Sequence, residues 1–361
     1  MICPAAYTVN GSGIFLLSSK GTLIVGSPTG INGAILTSGT KTFNDTASYG
    51  FNGSAAQVTG SYMPGALYSP DTIIIDNTAG VTLSQTTSTT GTLAFINGIL
   101  NTGTYTITVP GTTGAVTGAG ATSYVNGTLI KPVTGLTTVN YEVGDLSFAP
   151  MSLTLSTAAT TGSFALKANN GLHPSVGSSG FSSTHMYNHY WNIMNNFVSG
   201  PATVTPKVTC NLTDILGGSN SYFVTQQYNG TAWLGAPLAT TNTSSPYTSA
   251  PNSGIALGAL TGDYIFGTEA GTLGANTVTS AAGSGVQVFP NPNSGTFTLN
   301  LLSVNNEEVH VIITTITGEK VKDFMTTANK VTVVTLTAPA GIYLLSAYST
   351  DNFYTTKVFV K

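Results

Sequence analysis

Arginine is absent from this chain. All ten basic residues are lysines, and only 6% of the 361 residues are charged, against roughly a quarter in an average globular protein. The net charge is −3. Phosphate binding needs clustered Lys and Arg, so the composition argues against a nucleic acid partner. Cysteine is nearly missing too: Cys3 and Cys210 make no disulfide framework. No apolar run approaches the roughly 18 residues that span a bilayer, so no transmembrane segment is expected. Met1-Ile2-Cys3-Pro4 lacks a basic stretch, and Gly13 to Leu17 is too short for the core of a signal peptide. There is no G-x-S-x-G, P-loop, H-E-x-x-H or EF-hand loop.

What the chain does have is 42 glycines, abundant Thr, Ser and Asn, and 33 aromatics (15 Phe, 16 Tyr, 2 Trp) within a 41% apolar composition. That is enough to build a core, and it points to strands joined by tight turns rather than to disorder. We therefore expect an all-β protein. Residues 1–120 repeat a short β-rich run followed by Gly, Asn or Pro, as in Gly21 to Pro28, Asp71 to Asn77, Gly91 to Gly98 and Thr104 to Val109. Such punctuation predicts a β-solenoid, a parallel β-helix in which each coil buries a few side chains against the next. The rival is an antiparallel sandwich with hairpins at Asn97-Gly98 and Asn126-Gly127. Residues 121–270 read as a β-sandwich with Tyr190-Trp191-Asn192-Ile193 as a core strand. Pro206, between Val204 and Val208, suggests an edge strand. Residues 271–285 read as a linker.

The last stretch, 286–361, alternates cleanly. Val286 to Phe289 is stopped by Pro290 and Pro292. Phe297, Leu299 and Leu301 then share one face, and strands follow at Val309 to Ile316, Val331 to Leu336, Ile342 to Tyr348 and Phe353 to Val360. This spacing predicts a small Ig-like β-sandwich. The pieces Phe289-Pro290-Asn291-Pro292, Gly295-Thr296-Phe297, Gly318 before Val321, Gly341-Ile342-Tyr343-Leu344 and Lys357 to Lys361 resemble the type A C-terminal sorting domain of proteins secreted by the type IX system of Bacteroidota. The resemblance covers about a fifth of the chain. It departs from the family at Thr315-Ile316-Thr317, where members often carry Asp or Asn, which would weaken a turn. It implies that Pro290, Asn291, Pro292, Gly295, Phe297, Gly318, Gly341, Tyr343, Lys357 and Lys361 carry a sorting signal. It also implies export to the outer cell surface or the medium, the type IX machinery as partner, and a general export signal ahead of this sequence, which is then processed or a fragment. Cleavage is expected within Gly267 to Gly285, where little can pack.

More loosely, GTLIVGSPTGI, GSAAQVTG and IIIDNTAGVTLS resemble the β-helical passengers that precede this sorting domain. Tyr141 to Asp145 with Phe148-Ala149-Pro150 resembles the segment that leaves their β-helix, with Glu142 in place of a proline. Asp45-Thr46-Ala47 and Asp71-Thr72-Ile73 fit the short O-glycosylation pattern of Bacteroidota secreted proteins, which makes Thr46 and Thr72 candidates for glycosylation. Seven N-x-Ser/Thr triplets follow from composition and are assigned no function.

No cofactor, metal or catalytic residue is expected. His185 and His189 are four apart, but on a strand that places them ~13 Å from each other, too far to share an ion. With His173 they read as solvated or hydrogen-bonding histidines. A glycosidase needs paired carboxylates. Asp71 and Asp76 fall on opposite faces of one strand, and Glu142 and Asp145 sit at a turn, so both pairs read as surface polarity. The expected role is a structural or adhesive surface protein. The first charge is Lys20, so the first coil lacks a polar cap. This points to head-to-tail self-association into filaments, with missing upstream coils as the equal alternative. A carbohydrate-active β-helix enzyme and a module that binds surface glycans are the other readings.

Overall fold

The computed structural model describes residues 1–135, 137–157, 161–197, 200–270, 285–303, 305–349 and 353–361. The expected linker and the cleavage segment therefore lie largely outside the described residues. Contacts divide the chain into two compact units, Met1–Gly271 and Thr272–Lys361.

The first unit begins as a solenoid. Six short strands, Ile2–Cys3, Thr22–Val25, Ser48–Phe51, Thr72–Asp76, Thr92–Asn97 and Val116–Thr117, form one sheet in chain order. Every pairing in it is parallel. The register stacks like on like. Leu23, Tyr49, Ile73 and Leu93 form one inward row; Cys3, Val25, Phe51, Ile75 and Phe95 form the next. All are buried, and each such side chain stabilises by roughly 1.5–3 kcal/mol. A second parallel face runs through Gln57–Val58, Val81–Thr82, Leu100–Thr108 and Val125–Pro132. Parallel pairing rules out the hairpin alternative. Asn97-Gly98 is instead a corner of a coil, where Gly98 takes φ +89° and a Cβ would stand 1.8 Å from the Asn77 carbonyl oxygen. Only glycine fits there.

The corners are held by buried amides. Gln57 donates from Nε2 to the Val25 and Ser27 carbonyls, at 2.8 and 2.9 Å. Its Oε1 accepts from the Gly53 amide and from Asn77 Nδ2. These polar side chains are buried because their hydrogen bonds are made.

The strand Val125–Pro132 changes the architecture. On one edge it pairs in parallel with Leu100–Thr108; on the other it pairs antiparallel with Ser163–Asn170. From there the sheet continues through His189–Asn195 and Gly262–Glu269, all antiparallel. A second antiparallel sheet is built from Thr138–Tyr141, Met151–Leu155, Thr203–Cys210, Tyr247–Pro251 and Thr240–Ser244. One hydrophobic core runs from Cys3 through Leu129 and Trp191 to Phe266, across the expected boundary at 120–121.

Pro206 is not on an edge strand. Thr203–Cys210 has Met151–Leu155 on one side, with Tyr247–Pro251 and Ile255–Ala256 on the other. Toward Met151–Leu155 the hydrogen bonds run from Thr209 N to Pro150 O and from Ser156 N to Thr203 O. That phase turns Pro206 away from this neighbour. Its missing N–H falls in the gap between the two segments on the far side, where no ladder bond is lost.

The second unit is a two-sheet sandwich. Gly285–Phe289, Thr296–Leu302 and Thr332–Thr335 make one sheet; Lys320–Thr327, Glu308–Thr315, Gly341–Tyr348 and Phe353–Val360 make the other. Its core includes Phe297, Leu299, Val311, Leu345 and Val358.

Candidate functional site

The sorting-signal candidates fall into three structural groups. The first is the segment 290–293, which zips onto the outer edge of the last strand. Asn291 Nδ2 donates to the Lys357 carbonyl at 2.7 Å, and the Phe359 amide donates to Asn291 Oδ1 at 2.8 Å. Two residues on, the Asn293 amide donates to the Phe359 carbonyl, and the Lys361 amide donates to the Asn293 carbonyl, both at 2.8 Å. Pro290 and Pro292 flank Asn291. A proline has no N–H to offer, so here the asparagine side chain and the Asn293 backbone do the work of a partner strand. Asn293 is buried; the sequence marks it as a turn residue beside Gly295, and its hold on the last strand has no signal there beyond the repeat of Asn after each proline.

The second group makes turns. Asn293 Oδ1 accepts from the Gly295 amide at 2.8 Å. Gly295 takes φ +93°, and its carbonyl accepts from Leu336 N. Gly318, at φ +89°, closes the turn between Glu308–Thr315 and Lys320–Thr327. Thr315 Oγ1 accepts from the Glu319 amide at 3.1 Å, so the threonine supplies the side-chain acceptor that an Asp or Asn would give a turn.

The third group is split between core and surface. Phe297 and Tyr343 are buried, and the Tyr343 hydroxyl donates to the Pro339 carbonyl at 2.6 Å beside Gly341. Lys357 and Lys361 project outward from the last strand. On the same sheet Asp323 is gripped by His310 and by Lys320, whose Nζ lies at 2.7 Å. The Lys320 bond, then the His310 bond, hold the Asp323 carboxyl below its usual range.

In the first unit the histidines do not converge. His173 is buried, accepts the Ser175 amide at Nδ1 and places Nε2 3.1 Å from Asp263 Oδ2, with Tyr190, Tyr228 and Trp233 packed around its ring. His189 is also buried, with Nε2 3.2 Å from the Asp145 carbonyl and 3.4 Å from Ser147 Oγ. Ser147 in turn donates to Asp214 Oδ1 at 3.0 Å. Both histidines are therefore hydrogen-bonded, but neither is solvated. Among the described residues no group of three or more His, Cys, Asp and Glu is placed to hold a metal.

One member of each carboxylate pair, Asp71 and Glu142, is not surface polarity. Asp71 is buried, with Oδ2 accepting from Thr89 Oγ1 at 2.8 Å and no partner at Oδ1 among the described residues. Burial pushes its carboxyl up, against the Thr89 hydrogen bond. Glu142 binds Lys131 at 2.6 Å, and the lysine is only 2% exposed. Of the glycosylation candidates, Thr46 is half-buried, with Oγ1 bonded to Asn44 Oδ1 and Ser19 Oγ. Thr72 faces outward between buried Asp71 and Ile73.

No helix among the described residues is long and apolar enough to cross a membrane. No curated protein matches the chain. Residues 287–361, about a fifth of it, match the model of the secretion system C-terminal sorting domain. That match begins on the strand Gly285–Phe289 and ends on the last residue, taking in the 290–293 zipper, both turns and the sandwich core. A type IX sorting domain of this kind marks the chain as one exported to the cell surface or the extracellular space.

Proposed function

We propose that residues 286–361 are the address and that the first unit is a structural or adhesive passenger delivered by it. The observation that carries the address is the sorting-domain match on a sandwich with its own separate core. Fusing residues 286–361 to a fluorescent reporter, behind a general export signal, should send the reporter outside a type IX-competent bacterium. A reporter held in the periplasm overturns the reading. In this reading Pro290, Asn291, Pro292, Gly295, Gly318 and Gly341 shape the signal, Phe297 and Tyr343 hold it folded, and Lys357 and Lys361 are open to a partner.

The passenger reading is supported by the outer face of the six-stranded parallel sheet. Thr22, Ser48, Thr72 and Thr92 stand in one row across neighbouring strands. Ile2, Ile24, Gly50, Ile74, Ala94 and Thr117 stand in the next. Rows repeating at the strand spacing of about 4.8 Å make an even surface, and neither row holds a charge. Asp76 enters only in a third row, bonded to Asn97 Nδ2 at 2.9 Å. An even uncharged face suits contact with another surface, since nothing repels its approach. Exposed Ile14 and Leu16, beside the pairing of Phe15–Leu17 with Lys41–Phe43, favour the finer reading that copies associate head to tail. Electron microscopy of the purified chain, with and without Thr72→Lys and Ile74→Lys, tests the face. A chain that stays monomeric at high concentration and does not hold to cells overturns the passenger role.

Glycan binding is a second reading, favoured by Tyr62, which is 38% exposed. It stacks on Phe43 at 5.4 Å, with Lys41 Nζ 5.6 Å from the ring centre. Such a ring can take a sugar face. A catalytic role has less support, because Asp71 and Asp76 stand on opposite sides of their strand and Glu142 is committed to Lys131.

A further inference from the structure

The outer face of a secreted antiparallel sandwich is normally polar, with apolar residues turned to the core. The four-stranded sheet of the second unit breaks this rule, and three of its exposed apolar residues meet at one corner. On Gly341–Tyr348 the outward residues Ile342 and Leu344 are 46% and 39% exposed, and on the neighbouring strand Phe359 is 38% exposed. They are contiguous. Ile342 lies opposite Phe359, and Leu344 lies opposite Lys357, which precedes Phe359 in the same outward series. Next to Leu344 is Thr314, and next to that, on the same strand's outer face, half-buried Ile312. The corner is therefore an apolar patch rimmed by the ammonium groups of Lys357 and Lys361, both exposed.

Pairing across the sheet accounts for Ile342 standing beside Phe359. It does not account for two lysines as the rim, on a chain with ten in 361 residues. Nor does it require apolar residues where Thr would serve the strand as well. Across the same face the neighbouring strand is partly polar: His310, Asp323 and Lys320 bond to one another, with Asp323 and Lys320 opposite Ile312 and Thr314 and with exposed Met325 and Tyr348 flanking His310. Contiguous exposed apolar surface with a charged rim is the anatomy of a protein interface.

We propose that this corner, Ile342, Leu344 and Phe359 with Lys357 and Lys361, is the surface by which the type IX secretion machinery takes hold of the chain. The inference rests on the sorting reading above and names its contact face. The occupant it fits is a machinery component that presents an apolar patch bordered by carboxylates, since ammonium groups at a rim select for acidic neighbours and steer their approach. The 290–293 zipper contributes at one remove. By pairing with the outer edge of the last strand, it holds Lys357 and Phe359 in register.

The test uses the full chain behind a general export signal in a type IX-competent bacterium, with the extracellular and surface amounts measured by immunodetection. Ile342→Thr, Leu344→Thr and Phe359→Thr together keep strand-forming side chains and remove the patch. Export should fall by about tenfold or more, as when an interface loses its central side chains. Lys357→Glu with Lys361→Glu should also fall by about tenfold, because the rim then repels a carboxylate border. Val331→Thr with Val333→Thr is the control: these residues are 61% and 70% exposed at and beside the strand Thr332–Thr335 of the other sheet, and their loss should change export by less than about twofold. Thermal melting of each purified chain reports folding. A triple variant that melts like the wild type and is exported normally overturns the proposal. If the triple variant fails to fold, the lysine pair decides, and its normal export overturns the proposal equally. Deleting residues 286–361 separates the two levels. Export that survives the deletion defeats the sorting reading itself, whereas export lost on deletion but kept in the patch variants defeats only the choice of face.

Discussion

The strand Val125–Pro132 turns Val125, Leu129 and then Lys131 into the core, at the point where parallel pairing gives way to antiparallel. Lys131 is 2% exposed and its carboxylate contact among the described residues is Glu142, whose side chain is 20% exposed, at 2.6 Å. At an effective dielectric of about 20 the attraction at this range is about 6 kcal/mol. Desolvating each ion costs several kcal/mol, so the pair as a whole contributes little. Breaking it is another matter. Glu142→Gln leaves a buried ammonium without a counter-ion, and about 3–5 kcal/mol should be lost at pH 7. Lys131→Met with Glu142→Leu removes both desolvation costs and should return to within about 1 kcal/mol of wild type or exceed it. The assay is urea unfolding followed by tryptophan fluorescence, which sees only the first unit because both tryptophans, Trp191 and Trp233, lie there. The pH dependence has a defined sign. Burial pushes the Lys131 ammonium below its ordinary value, opposed by the charge and hydrogen bond of Glu142. Between the depressed folded value and the ordinary value of 10.5, the unfolded chain binds the proton and the folded chain does not. Stability therefore rises with pH through that window. The rise should be steeper in Glu142→Gln and absent in Lys131→Met. A Glu142→Gln loss under about 1 kcal/mol, or a double variant no better than the single, would refute the reasoning.

The solenoid was legible where coils repeat a plain pattern. Thr22–Val25, Thr72–Asp76 and Thr92–Asn97 each alternate an outward Thr with inward Leu or Ile, and the sequence shows it. Ser48–Phe51 was not legible: its glycine stands on the outer face beneath Ile24 and dilutes the apolar signal to Tyr49 and Phe51. In the second unit Lys320–Thr327 escaped notice for a related reason. It is an edge strand paired across a register shift at Ile313 and Thr314, and none of its residues is buried, so charge and apolarity mix along it without a period. Pro206 misled because a proline's tolerance depends on which side of the strand the neighbour lies, and only the register tells. The sorting motif was read from residue order alone, and its turns and core were visible as Gly, Pro and Phe. That Asn291 and Asn293 bind the last strand was not, because the bonds span more than sixty positions and no local pattern encodes a partner so distant. The pairing of Lys131 with Glu142 and the burial of Asp71 were hidden for another reason: their partners are 11 and 18 positions away, but on different segments, and only the fold brings them together.

Gly98→Ala should destabilise the first unit by about 2–4 kcal/mol, combining a positive φ with a Cβ driven into the Asn77 carbonyl; an unchanged fluorescence midpoint would contradict the corner geometry. Asp71→Asn should raise the urea midpoint at pH 7. Burial lifts the folded carboxyl above its ordinary value of 3.8, so the wild type loses stability as pH rises through the raised value, and the variant should lack that fall. The last prediction concerns the zipper. Asn291→Ala removes two hydrogen bonds, to the Lys357 carbonyl and from the Phe359 amide. At about 0.5–1.5 kcal/mol each, and at the low end for an exposed edge, the loss is about 1–2 kcal/mol. It should appear locally rather than globally, because Ile342 and the rest of Gly341–Tyr348 still pair with the inner edge of the strand. Hydrogen exchange at the Phe359 amide reads it directly: protection should drop by about tenfold for each 1.4 kcal/mol, while amides of Val311 and Leu345 in the centre of the sheet stay protected. Asn291→Asp separates the two bonds. A carboxylate can still accept from Phe359 N but cannot donate to Lys357 O, so the Phe359 amide should keep its protection while the chain end at Lys357 loosens. Equal exchange at Phe359 in the wild type and in Asn291→Ala would mean that the asparagine does not hold this edge.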